Sequence, residues 1–109
     1  MNLVIDIVTE DKKYIVNLSG EIDAYTAPDL KEKLLPLTKH PDHVVEVNLE
    51  YVNYMDSTGL GVFISGLKST KENNSHLKLA HPQEKVARLF KITGLDEVLD
   101  INSAIRGGS

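Results

Sequence analysis

Residues 54–61, Tyr54-Met55-Asp56-Ser57-Thr58-Gly59-Leu60-Gly61, join two unlike patterns. Before them, Val44-Val45-Glu46-Val47-Asn48-Leu49 is rich in β-branched residues and apolar enough for a central strand. After them, Leu60, Phe63, Ile64 and Leu67 recur at helical spacing, which predicts a helix over 57–72 with those four turned inward. The stretch is therefore a passage from the end of a strand into the start of a helix. That passage is the repeating unit of an α/β fold.

Working outward, residues 3–8 and 14–19 read as two strands joined by the polar turn Glu10-Asp11-Lys12-Lys13, a β-hairpin. Gly20 breaks the strand pattern and residues 21–25 read as a connection. Thr26 fits a helix N-cap, with Asp29 three residues on as in a capping box. Ala27, Leu30, Leu34 and Leu37 place the first helix over 27–38. Pro28 is tolerated in its first turn and Pro36 weakens its last. On the other side, Asn73-Asn74-Ser75 ends the second helix and residues 77–80 form a fourth strand. Pro82 opens a third helix, with Val86, Leu89 and Phe90 inward and Gly94 as its stop. Residues 98–101 suit either a short edge strand or the start of a last helix. The expectation is one α/β domain over 1–106, a mixed sheet of four to five strands packed with about four α-helices, and a flexible tail at 107–109.

The 109 residues carry 12 basic and 16 acidic side chains, a net charge of −4, and no cysteine. The absence of cysteine removes disulfides, iron–sulfur clusters, cysteine zinc sites and a thiol nucleophile. Basic pairs such as Lys12-Lys13 and Lys31/Lys33 are interleaved with acids, so neither nucleic acid nor an anionic membrane is expected as a partner. No stretch approaches the ~20 apolar residues that span a bilayer. The start, MNLVIDIVTEDKK, lacks the basic region of a secretory signal, and a cytoplasmic protein is expected.

Three features single out the joining stretch. Gly59, Gly61 and Gly66 each cost about 1 kcal/mol relative to Ala inside a helix, which asks for a close approach to the backbone. Gly59, Val62, Gly66 and Ser69 share one small-residue flank, suited to a docking partner or to tight packing on a neighbouring helix. Ser57 and Thr58 place two hydroxyls at a helix N-terminus, where free N–H groups and the helix dipole favour an anion. A phosphate there adds about −1.5 to −2 charge next to Asp56, with Asp23 expected nearby, and changes a docking surface without unfolding the helix. The same Asp-Ser-Thr-Gly order is also ordinary N-capping chemistry.

Enzymatic motifs are incomplete. His40-x-x-His43 lacks a third metal ligand, and His76 and His81 stand apart. Gly59-Leu60-Gly61 begins a dinucleotide fingerprint, but Ile64 occupies the place of the third glycine. Ser65 lacks the upstream glycine of a nucleophile elbow. Asp6 stands without the acidic cluster of an aspartate-phosphorylated receiver, and Asp56 has hydroxyls rather than carboxylates beside it. No catalytic residue, metal or cofactor is expected.

Three segments together resemble the STAS family. They are Gly20-Glu21-Ile22-Asp23 with Tyr25-Thr26-Ala27-Pro28; Tyr54 to Phe63; and Arg88-Leu89-Phe90 with Ile92-Thr93-Gly94-Leu95. Within that family they are similar to the RsbV-like anti-sigma factor antagonists of the bacterial general-stress pathway. The resemblance implies a protein that, unphosphorylated, binds an anti-sigma factor serine kinase and releases a sigma factor. Phosphorylation by that kinase ends the complex, and a serine phosphatase reverses it. It implies Ser57 as acceptor, with Thr58 as the alternative. Glu21, Asp23, Asp56, Ser57, Thr58, Gly59, Gly61, Val62 and Gly66 become candidate partner contacts. The competing expectations are a small nucleotide- or phosphate-binding domain, or a STAS-type regulator unconnected to a sigma factor.

Overall fold

A computed structural model of the chain describes residues 2–102. The expected tail at 107–109 lies outside the described residues, as do residues 103–106 of the expected domain. Five strands form one sheet in the order β1 (Leu3–Glu10), β2 (Lys13–Ile22), β3 (Val44–Met55), β4 (His76–Ala80), β5 (Asp100–Asn102). β1 and β2 are the expected antiparallel hairpin; the remaining neighbours are parallel. Three helices, α1 (Ala27–Leu34), α2 (Ser57–Asn73) and α3 (Glu84–Ile92), lie between strands, with 3₁₀ turns at Leu35–Lys39 and Leu95–Glu97. The mixed α/β architecture is the one the strand-to-helix pattern predicts.

Strand register puts Val16, Val47 and Leu79 on a common face. They are buried there with Leu30 and Leu34 of α1, Phe63 of α2 and Phe90 of α3. Phe63 and Phe90 meet edge to face at 6.2 Å between centroids, a geometry worth ~1 kcal/mol beyond the area it buries. The opposite face mixes polar and apolar residues: Asn48 donates to Asn17 at 3.1 Å, Lys13 pairs with Glu46 at 3.1 Å, and Val4 and Val8 are exposed.

Several boundaries differ from expectation, each for a local reason. Gly20 does not end β2; the strand continues through it to Ile22. Its φ of 121° lies outside L-residue territory, and a Cβ would fall 2.2 Å from the Asn2 carbonyl oxygen. β3 runs on through Tyr51 to Met55 rather than stopping at Leu49. Its register with β2 slips twice: while β2 advances from Asn17 to Ser19, β3 advances from Asn48 to Tyr51. The Asn48 side chain accepts from the Glu50 N–H at 3.0 Å and so satisfies part of this bulge. The first helix stops being α-helical at Leu34 and tightens into a 3₁₀ turn that contains Pro36.

Thr26 does not cap α1 with its side chain, and no capping box forms. Its hydroxyl donates to the Glu21 carbonyl at 2.8 Å and accepts from the Asp23 N–H at 2.9 Å, while Asp29 pairs with Lys33. Pro82 precedes α3 instead of opening it; Gln83 holds the N-cap position. In α2, Ile64 is 40% exposed, not inward. Residues 98–101 resolve into the edge-strand alternative, with Leu99 buried and β5 beginning at Asp100.

Candidate functional site

β2 and β3 end side by side, and both chains turn off the sheet at the same edge. The Asp56 N–H donates to the Ile22 carbonyl at 3.2 Å, which ties the two exits together. Gly59 lies directly over this junction. A Cβ there would sit 2.7 Å from Met55 Cγ and 2.8 Å from Ile22 Cγ2. The close approach expected of the α2 glycines is thus internal at Gly59. It is also internal at Gly66, whose absent Cβ faces Leu77 and Leu34. Gly59, Val62 and Gly66 are buried, so of the two readings of the small flank, tight packing is the one realised at those three positions. Gly61 differs, since nothing lies within 4 Å of where its Cβ would be.

Asp56 is the N-cap of α2. Its Oδ1 accepts from the N–H groups of Thr58 at 2.9 Å and Gly59 at 3.2 Å. This meets two of the donors every helix start leaves open, and a carboxylate at that end is favoured by the dipole. Ser57 and Thr58 are both exposed. Neither hydroxyl makes a hydrogen bond among the described residues. The capping explanation of Asp-Ser-Thr-Gly is therefore exhausted by Asp56 alone.

Asp23 is brought to the same edge by β2. It is only 6% exposed, and its Oδ1 accepts from the N–H groups of Tyr25 and Thr26 at 2.9 and 3.0 Å. Its carboxylate is thereby fixed as the hub of the β2–α1 loop. With Glu21 and Asp56 it lines a recess of about 460 Å³. Ala24, Tyr25 (87% exposed), Tyr54 and Lys85 complete the lining. Three carboxylates face one ammonium group there, and two of the three are already held by backbone N–H groups. Lys85 comes from α3, and no local pattern links it to the rest. Tyr54 is the first residue of the joining stretch, and it follows directly on the second register slip of β3.

On the other side of the α2 N-terminus, Thr58, Gly61 and Val62 line a second recess with Ala27, Pro28, Lys31 and Ser65. Of the nine expected contact residues, three therefore border the acidic recess and three the second one. Ser57 stands exposed beside them, and Gly59 and Gly66 form the packing beneath. Among the described residues, no group of three or more His, Cys, Asp or Glu side chains is placed to hold a metal ion. His40 and His43 instead stack around Tyr14, with ring centroids 5.5–5.6 Å apart. No helix among these residues is long and apolar enough to cross a membrane.

Comparison with known proteins agrees with this fold. Residues 4–107 match the STAS domain. The anti-sigma-B factor antagonist of Staphylococcus epidermidis is 45% identical over 102 residues, covering 94% of each chain. A crystal structure of a candidate anti-sigma factor antagonist from Thermotoga maritima is 26% identical with a TM-score of 0.80, over 93% of this chain and 87% of that one. The anti-sigma factor antagonist SpoIIAA, unphosphorylated, is 18% identical with a TM-score of 0.77, over 95% of this chain and 97% of that one. SpoIIAA of Bacillus in its phosphorylated form has a TM-score of 0.71 at 17% identity, over 90% of each. At such identities these last two matches speak to the fold alone. A matching domain over nearly the whole length, a close relative of the same span and a shared fold lead to one statement: this chain belongs to the STAS domain family.

Proposed function

We propose that this chain is an anti-sigma factor antagonist, the role named for its staphylococcal relative. In this reading it works in the cytoplasm as a substrate and binding partner, not as a catalyst. Unphosphorylated, it binds an anti-sigma factor that is also a serine kinase and so frees a sigma factor for stress transcription. The kinase then moves the γ-phosphoryl group of ATP onto Ser57. A bond forms between Ser57 Oγ and phosphorus, the bond to the bridging oxygen of ADP breaks, and the hydroxyl proton leaves. A serine phosphatase restores the hydroxyl with water.

The observation that carries this reading is the division of labour at the start of α2. Asp56 makes the cap, and the Ser57 hydroxyl is exposed with no partner among the described residues. A phosphate added there meets the favourable end of the helix dipole, so the helix tolerates it. Its effect falls on whatever docks at the surface, which gains nearly two negative charges beside the recess of Glu21, Asp23 and Asp56. The existence of a phosphorylated form of SpoIIAA adds that this fold accommodates the modification.

The test is incubation with the cognate kinase and ATP, followed by intact mass and peptide mapping. One phosphate on Ser57, and none on the Ser57→Ala variant, is expected. Phosphate on Thr58 would move the acceptor by one residue. No phosphate at either position would overturn the switch. The Ser57→Ala variant is expected to hold the kinase in the presence of ATP for longer than the wild type does.

A further inference from the structure

The second recess at the α2 N-terminus, about 550 Å³, does not end at Ser65. A further recess of about 270 Å³ adjoins it, sharing Lys31 and Ser65 as walls and continuing past Lys39 and Lys68 to Ser69. Together they make one groove between the first helical segment and α2. Measured along α2 from Thr58 to Ser69, it runs ~16 Å, the length of about three helical turns. Its floor is low because Gly61 and Ser65 project little, and Gly61 is the α2 glycine that no internal neighbour requires. Its rim is cationic. Lys31, Lys39 and Lys68 are exposed, and none has a carboxylate within ion-pairing distance among the described residues. Glu72, at the far end, is the single acid of the lining. The ion-paired cations Lys13, Lys33 and Arg88 all lie outside it. A chain with net charge −4 thus lines one groove with three lysines, next to a recess of the opposite sign.

We propose that this groove docks an acidic segment of a partner protein, with Lys31, Lys39 and Lys68 meeting its carboxylates. Pro28 and Val62 line the groove on one side of Lys31, and Leu35 lines it with Lys39 and Lys68 on the other. That mixture suits an amphipathic peptide with acidic and apolar positions better than a nucleic acid, whose binding calls for a longer basic track and stacking aromatics. The proposal rests on the reading above in one respect: the segment belongs to the anti-sigma factor kinase. Opposite charges on the two sides of Ser57 then permit one orientation of the partner and oppose the reversed one. A phosphate on Ser57, next to the groove's Thr58, competes with the partner's carboxylates for Lys31.

Two measurements on the intact chain test this. In the first, ¹⁵N-labelled protein is titrated with a synthetic Glu-rich amphipathic helix of about three turns. Amide shifts are expected at Lys31, Gly61, Ser65 and Ser69. They should vanish in the Lys31→Glu/Lys68→Glu variant and persist in Lys12→Glu/Lys91→Glu, which changes net charge equally. Shifts centred on Glu21 and Tyr54, shifts that survive the groove reversal, no shifts at all, or tighter binding of a single-stranded oligonucleotide to the same residues would each overturn the proposal. In the second, the cognate kinase is titrated against the same variants. The groove reversal is expected to weaken binding roughly tenfold, an effect that fades as salt is raised. A kinase that binds wild type and groove reversal alike removes the groove and leaves the antagonist reading standing. A kinase that binds neither, with the peptide shifts intact, removes that reading and leaves the groove.

Discussion

The three glycines of α2 offer a measurement in which one chemical change meets three different surroundings. Replacing Gly by Ala in a helix interior gains up to about 1 kcal/mol in propensity, mostly by restricting the unfolded chain. At Gly61 nothing lies within 4 Å of the added methyl group, so the gain is kept and Gly61→Ala is expected to be about 1 kcal/mol more stable than wild type. At Gly59 the methyl group falls 2.7 Å from Met55 Cγ and 2.8 Å from Ile22 Cγ2. Ile22 is fully buried and β-branched, with restricted χ1 freedom, so it withdraws only at a cost. Overpacking of this kind costs ~1–3 kcal/mol. Set against the propensity gain, Gly59→Ala is expected to lose about 0–2 kcal/mol. The two alanine variants should therefore differ by the overpacking cost itself, ~1–3 kcal/mol, or roughly 5–15 °C in Tm for a domain of this size. Gly66→Ala should fall between them, because its methyl group meets the terminal Cδ2 of Leu77 at 3.3 Å, an atom that can rotate away. Urea unfolding followed by far-ultraviolet circular dichroism reads all three, and the unfolded-state contribution largely cancels in their differences. Equal stability of Gly59→Ala and Gly61→Ala would refute the close approach of α2 to the junction of β2 and β3.

Two further predictions concern the residues around that junction. Asp56→Ala should cost about 1 kcal/mol through loss of the N-cap, while Asp56→Asn should stay within a few tenths of wild type; chemical denaturation checks both. Ser57→Asp should leave stability nearly unchanged but weaken kinase binding less than phosphorylation does, since one charge replaces almost two. Binding indistinguishable from wild type in a titration calorimeter would argue against release by charge.

How far the sequence carried depends on whether a feature is set by neighbours along the chain or by neighbours in space. The start and end of α2 were legible, because an Asp cap at 56 and a left-handed Asn74 are local devices. The extent of β3 was not. Its second half is a strand only because β2 continues through Gly20 beside it, and its bulges have meaning only relative to that partner. Ile64 falls on the same helix face as Leu60 and Leu67, yet is half-exposed, because the buried stripe of α2 is narrower than the apolar one. The site divides the same way. Asp56, Ser57 and Thr58 could be picked out from order alone. That Gly59 and Gly66 serve packing, while Gly61 opens on a groove, needed the positions of Ile22, Met55 and Leu77. Lys85 and the line of Lys31, Lys39 and Lys68 are assembled by tertiary structure from separate helical segments, and no spacing in the chain announces them.

The cap at Asp56 has a consequence over evolutionary time. Because the helix start is secured one residue earlier, the next position is released from any duty to the fold. A lineage can exchange its hydroxyl for a methyl group, a carboxylate or a longer alcohol through single-codon changes without endangering the domain. If Ser57 is the acceptor proposed above, each exchange would set a different default: permanently engaged, permanently silent, or answering to a kinase of another preference. The inheritance of the scaffold would then be uncoupled from the inheritance of its control, and duplicated copies could diverge in when they respond while keeping what they respond with.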